Sequence, residues 1–296
     1  MRRVACRVQR AGCRVLCVAL LVVAQVSAQG DDGGGVRVTA RSRSQRPGEL
    51  VVLTITVPTQ VDRVRVRAFD REIVPFRAGD RVWEALVGID LDARPGTSVV
   101  TVDAGGAALR TTYTLSIAPR TFRTRRLTVD PAFVTPPSSE QERITREAAL
   151  LASLWKAPAR ERLWTAPFVR PVPGVANSAF GTRSVFNGEP RSAHGGADFL
   201  SPAGTPIHAP NAGLVVLARD LYFSGNTVVI DHGLGLFSTL AHLSAIDARE
   251  GDTVTDGQVV GRVGATGRVT GAHLHWAVRA GGARIDPLAV LALLGS

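Results

Sequence analysis

Short β-branched runs separated by glycine-bearing turns fill this chain from residue 36 almost to its end, and a single stretch of helical periodicity interrupts them. That pattern confines the chain to a mainly β fold. Residues 50–57 read Leu-Val-Val-Leu-Thr-Ile-Thr-Val, residues 61–69 alternate Val with Arg, and residues 98–102 and 111–117 are further β runs. Pro47-Gly48, Ala78-Gly79-Asp80, Pro95-Gly96 and Gly105-Gly106 supply the turns. Strands at this spacing predict a β-sandwich-like domain over residues 36–120. It contains no histidine, and no chemistry is assigned to it. Residues 136–155 are different. Ile144, Ala148, Leu151 and Trp155 recur at helical intervals behind Pro136-Pro137, and Ser139 with Glu142 has the spacing of a capping box. A connecting helix is expected there, inside a linker over residues 121–162. β runs at 214–217, 227–230 and 258–263 then predict a second β domain over residues 163–296.

The 296 residues suit about two ordinary domains, and 45% apolar with 20% charged residues suits a chain that buries a core. The start reads as an export signal over residues 1–28. Arg2, Arg3, Arg7, Arg10 and Arg14 form a basic region without acids, residues 15–26 are apolar, and Val26-Ser27-Ala28 offers small residues for cleavage after Ala28. The apolar run is shorter than the roughly 20 residues a spanning helix needs, so no stable membrane span is expected after cleavage. Residues 29–35 are Gly/Asp-rich and read as a flexible segment. Cys6, Cys13 and Cys17 all lie in the signal, so the mature chain has no thiol, and any metal site must use His and carboxylate. Without the five signal arginines, 30 basic residues face 25 acids, a net charge of +5 instead of +10. That bias suits the anionic polymers of a cell wall, or simply reflects an Arg-rich composition in which Lys156 is the one lysine. The arginines are scattered without aromatic interleaving, which argues against nucleic-acid binding.

All six histidines lie beyond residue 190. In His194-Gly-Gly-Ala-Asp198 the glycines allow a bend that brings His194 and Asp198 to one cation. In His273-Leu-His275, strand alternation points both imidazoles into one space. Two nitrogens and one carboxylate oxygen make a tetrahedral Zn²⁺ site with a fourth position for water, and thiolate-loving metals are disfavoured. His242 and one of the 273/275 pair are then left over, as proton acceptor and as stabiliser of developing charge in a hydrolase. His208 and His232 read as turn or supporting residues, Asp231 and Asp252 as turn acids. Arg183 is either beside a substrate groove or a solvated arginine.

Several motifs, in order, resemble the M23 (lysostaphin- or LytM-type) family of peptidoglycan metallopeptidases. They are His194-x-Gly-x-Asp198, Gly204-Thr-Pro-Ile-His-Ala-Pro210, Gly225-Asn-Thr-Val-Val-Ile-Asp-His-Gly233, Ala241-His-Leu-Ser244, Gly251-Asp-Thr-Val254, Gly257-Gln-Val-Val-Gly261 and Gly264-Ala-Thr-Gly-Arg-Val-Thr-Gly-Ala-His-Leu-His-Trp276. The stretch over 83–92 also resembles a β-domain often found ahead of such peptidases. The resemblance implies a C-terminal antiparallel β metallopeptidase domain with one Zn²⁺ per chain on His194, Asp198 and His275. His242 and His273 would be the catalytic pair. It further implies an exported endopeptidase, periplasmic or extracellular, acting on peptidoglycan or another peptide. Family members often carry Tyr where this chain has Leu240, and loss of that phenol is expected to weaken hydrogen bonding around the site. A non-catalytic activator or binding module for another wall hydrolase is the alternative, set second because such relatives lack ligands that this chain keeps. The motifs leave open whether the substrate is wall peptide or protein, and they carry nothing on oligomeric state.

Overall fold

The structure is a computed structural model and describes residues 25–26, 35–106, 109–129, 135–177 and 180–295. The export signal and the flexible segment after it lie outside these residues, apart from residues 25–26 and 35. Among the described residues no helix is long and apolar enough to cross a membrane.

The first strands are β1 (Gln25–Val26), β2 (Arg37–Arg41), β3 (Leu50–Thr56), β4 (Arg65–Ala68), β5 (Arg71–Ile73), β6 (Phe76–Gly79), β7 (Val82–Gly88), β8 (Gly96–Asp103) and β9 (Arg110–Ile117). They pair antiparallel in two sheets, β1-β2-β3-β7-β6 and β5-β4-β8-β9. In β9, Tyr113, Leu115 and Ile117 are buried between exposed neighbours, the alternation of a strand with one wet face. β3 is an unbroken apolar run for the opposite reason. Val51, Leu53 and Ile55 face the sandwich interior, while Leu50 and Val52 belong to the core of the C-terminal part. The Val/Arg run expected as a strand over 61–69 is only half strand. It stops at Ala68 because Phe69 and Asp70 take positive φ and turn the chain into β5.

The linker contributes two elements. β10 (Thr124–Leu127) pairs in parallel with β12 (Arg183–Phe186), which in turn pairs with β13 (Glu189–Pro190). α1 (Gln141–Leu154) lays Leu150, Leu151 and Leu154, with the following Trp155, over Leu217, Leu221, Val229 and Phe237. The capping box expected from Ser139 and Glu142 is absent. Ser139 lies in a 3-10 turn, Glu140 is the N-cap without a side-chain bond, and Glu142 pairs with Arg146 instead.

Beyond α1 the chain builds β11 (Ala176–Asn177), β14 (Gly196–Phe199), β15 (Pro206–His208), β16 (Gly213–Leu221), β17 (Gly225–Asp231), β18 (Leu236–Ile246), β19 (Thr253–Val254), β20 (Val259–Val263), β21 (Leu274–Ala280) and β22 (Ala283–Ile285). These form one antiparallel sheet whose main path is β11-β14-β21-β18-β17-β16-β19. Helix α2 (Pro287–Leu294) closes the core. Sequence periodicity misses it because no residue of α2 is exposed, so it has no polar stripe. The legible signal is Asp286-Pro287. Asp286 Oδ1 accepts from Leu288 N at 3.0 Å, and proline sits at the first helical position.

Asp286 also joins the two parts. Arg43 donates to Glu49 and to Asp286 at 2.8 Å each, and Arg120 reaches Glu49 at 3.3 Å. Arg284 binds Asp90 at 2.6 Å and Asp92 at 2.8 Å. With Leu50, Val52 and Leu86 in the same core as Val278, Ile285 and Val290, the sandwich is held to the C-terminal sheet by both apolar burial and paired charge.

Candidate functional site

His194 stands two residues before the start of β14 and Asp198 lies within it, so residues 194, 196 and 198 share one face of an extended segment. The backbone of His194 is fixed at both ends, its N–H to Thr182 O at 2.9 Å and its carbonyl to Gly181 N at 2.7 Å. β21 runs beside it with His275 directly opposite Asp198. His273 and His275 both face this space, while Leu274 and Trp276 are fully buried on the other side. The bend expected of the two glycines is absent, since Gly196 opens β14 as extended backbone. Space is what Gly196 provides. A Cβ there would stand 2.7 Å from His275 Cε1 and 2.5 Å from Trp276 O, whereas at Gly195 nothing lies within 4 Å.

His194 Nε2, Asp198 Oδ1 and His275 Nδ1 converge. The separations are 2.9 Å between the two nitrogens, 3.1 Å from His194 to Asp198 and 3.0 Å from His275 to Asp198. Ligands in a tetrahedral zinc shell of ~2.0 Å bonds stand about 3.3 Å apart, so small adjustments admit an ion. Two ring nitrogens aimed at each other and at one carboxylate oxygen cannot all be served by shared protons, but one cation serves all three. The donor set, two imidazoles and a carboxylate without thiolate, fits zinc. Burial would raise the Asp198 carboxyl, but hydrogen bonds and charge from His194 and His275 outweigh it and hold the group well below the usual carboxylate range. Burial lowers His275, against the raising effect of Asp198.

His242 reaches the same space by a device invisible in the sequence. Regular alternation would send it to the core side with the fully buried Leu240. β18 instead carries an extra residue opposite β17 between Leu240 and Leu243, and His242 takes φ 68°, which turns its ring toward His273 and His275. The ring centroids are 4.9 Å and 5.8 Å away. His242 Nδ1–H donates to Thr266 O at 3.0 Å and His273 Nδ1–H to Gly271 O at 2.9 Å, so each ring presents Nε2 to the shared space. Burial, with His275 and His273 nearby, pushes His242 down to about 4. Thr266 carries no role in the sequence reading, yet its Oγ1 also donates to Leu243 O at 2.8 Å and accepts from Asn226 N at 2.9 Å, locking the bulge. Leu240 lies opposite Val228 and Trp276 and is fully buried in the core.

The remaining histidines are elsewhere. His208 Nδ1–H donates to Gly257 O at 2.7 Å. His232 is fully buried, donating from Nδ1 to Ala212 O at 2.8 Å and accepting at Nε2 from Ser238 Oγ at 2.9 Å, which itself accepts from Trp276 Nε1. Burial lowers His232 to about 4. Because the folded value is depressed below the unfolded ~6.5, its stabilising effect is complete above pH 6.5 and is lost as pH falls toward 4. We expect His232→Gln to flatten the loss of thermal stability across that window by up to ~1.4 kcal/mol per pH unit. Melting curves of wild type and variant from pH 7 to 4.5 check this, and parallel curves would refute it. Asp231 accepts from Gly233 N and Ala159 N at 2.7 Å each, so it fastens the linker as well as a turn. Asp252 accepts from Arg249 N. Arg183 faces Asp92 at 3.7 Å rather than the site.

The five residues lie on the floor of a cleft of about 730 Å³. One wall comes from the linker strand, where Arg125, Leu127 and Val129 point inward at alternate positions.

The model of Peptidase family M23 matches residues 192–287. A solved chain from Pseudomonas aeruginosa assigned to peptidase M23 is 32% identical, with a TM-score of 0.68 over 84% of this chain and 96% of that one. Peptidoglycan DD-endopeptidase ShyA of Vibrio cholerae is 46% identical over 83 residues, 28% of this chain and 19% of its own. DD-carboxypeptidase/endopeptidase Mpg of Neisseria meningitidis is 41% identical over 97 residues, 33% and 22% of the respective chains. The chain thus spans about a fifth of the length of these curated relatives.

Proposed function

The chain belongs to peptidase family M23, and from that premise we propose that it is an exported zinc metalloendopeptidase hydrolysing the peptide cross-links of peptidoglycan. His194, Asp198 and His275 hold one Zn²⁺, and His242 and His273 are the catalytic pair. When bound, zinc supplies Lewis acidity toward the scissile carbonyl and the attacking water. The residues do the rest. Nε2 of one free imidazole accepts the proton of the attacking water and returns it to the leaving amine, while the other ring, as an imidazolium donating from Nε2, stabilises the oxyanion. The Thr266 and Gly271 carbonyls hold Nδ1–H of both rings, so Nε2 is the nitrogen each presents to the reaction.

The observation that carries this reading is the meeting of three ligand atoms within 3.1 Å beside two further imidazoles on the floor of an open cleft. The peptidoglycan activity named for ShyA and Mpg, together with the basic and apolar start of this chain, supports action in the cell envelope. We assign residues 36–120 to a sandwich domain and residues 163–296 to the peptidase, with the linker and its helix between. The test measures zinc content and digests purified peptidoglycan with wild type and His273→Ala, identifying products by mass spectrometry. One zinc per chain is expected, with cross-linked dimers converted to monomers by wild type only. Stoichiometric zinc without cleavage by either form would reject the proposal.

A further inference from the structure

Three arginines look into the cleft, and Asp198 is the one carboxylate among its described lining residues. Arg125 stands on the linker wall. Its Nε donates to Ser184 Oγ at 2.9 Å, which fixes the guanidinium with its two terminal nitrogens directed elsewhere. Arg268 rises from the glycine loop five residues before His273. Its backbone N–H is tied to Phe223 O at 3.0 Å, and its guanidinium lies over the Phe223 ring, 5.2 Å from the centroid. Among the described residues no carboxylate forms an ion pair with Arg125 or Arg268. Arg191, paired with Glu189 at 3.6 Å, stands close enough to Arg268 for the two positive charges to oppose each other. Burial and that like charge both act to lower Arg268, while Tyr222 opposes them.

Arg268 is half-buried and Arg125 exposed, and with no acid paired to either, a ligand that brings carboxylates would balance their charge. From this geometry we propose that Arg125 and Arg268 are specificity-determining residues that read free carboxylates on the substrate peptide, so the cleft selects acidic stem peptides over amidated or uncharged ones. The inference rests on the peptidase reading and narrows its substrate class. Guanidinium and carboxylate match as bidentate partners. Phe223 holds one guanidinium flat, so little side-chain freedom is lost on binding. The linker origin of Arg125 means that part of this selectivity comes from outside residues 192–287, the stretch matched by the family model.

The test measures binding to the zinc-loaded full-length protein carrying His242→Ala, so that the peptide stays intact. The probes are a cross-linked stem-peptide dimer with free carboxylates and the same dimer amidated, followed by fluorescence anisotropy. We expect the free acid to bind at least about tenfold more tightly at low salt, and the preference to shrink with added salt. Arg125→Gln and Arg268→Gln should each remove about threefold or more of the preference, and the double variant nearly all of it. Arg268→Lys should retain part, and Arg183→Gln, which faces Asp92 outside the cleft, should retain all. Equal affinity for the two peptides in the parent, or a full preference in both single variants, overturns the inference. Either single variant suffices should the double one not fold. Cleavage by the His242 form separates the two readings. A protein that cuts both dimers equally while binding them equally remains a peptidase without this selectivity. One that discriminates the acids yet cuts neither keeps the selectivity and loses the peptidase reading.

Discussion

Gly196→Ala is expected to strip the protein of its metal while the neighbouring Gly195→Ala leaves it in place. At residue 196 the added methyl would overlap the His275 ring at Cε1 and Nε2, 2.7 and 2.8 Å away, and the Trp276 carbonyl at 2.5 Å. The carbonyl belongs to the paired strand β21 and cannot yield without breaking the ladder that sets Asp198 opposite His275. The ring is the part free to move, and moving it takes Nδ1 from the ligand triangle. Zinc affinity should fall about 100-fold or more, with activity lost in parallel and at most ~1–3 kcal/mol of stability lost. Chelator competition and zinc analysis on both variants would check this. A Gly196→Ala protein with full zinc and activity within threefold of wild type would show that the ring has another place to sit.

His242→Ala should separate chemistry from metal binding. None of its atoms belongs to the ligand triangle, so zinc content should remain at one per chain, while kcat for peptidoglycan cross-links falls by about 10³. Because φ at this position is 68°, His242→Asn is the better-tolerated companion, since asparagine enters the left-handed region more readily. Both variants should lose activity alike and differ in melting temperature. Loss of zinc with either substitution, or activity within tenfold of wild type, would contradict the role given to this ring.

What could be read beforehand, and what could not, divides along physical lines. Strands with one wet face, such as β9, and turns marked by glycine are written in local alternation, and so are legible. The ligand pairing is also local in part, because even spacing in extended chain puts residues 194 and 198, and 273 and 275, on common faces. Illegible features depend on contacts between distant segments. The exposed Thr-Arg-Arg-Leu of β10 has no pattern of its own and becomes a strand because β12 offers an edge some 60 residues later. The bulge at His242 arises from a mismatch of residue counts between β17 and β18, which neither strand reveals alone. Helix α2 has no exposed residue and therefore lacks a polar stripe to give it a period. The glycine pair after His194 invites a reading of flexibility, whereas the fold requires emptiness at one of the two.

The parallel pairing of β10 with β12 makes the approach to His194, Asp198 and His275 a composite of two stretches of chain, with β10 outside the family match. The histidines and the aspartate make the floor, while one bank is laid by Arg125, Leu127 and Val129, well ahead of His194 along the chain. Exchange of residues 124–129 is therefore expected to reshape the entrance and to leave the cluster beneath it untouched.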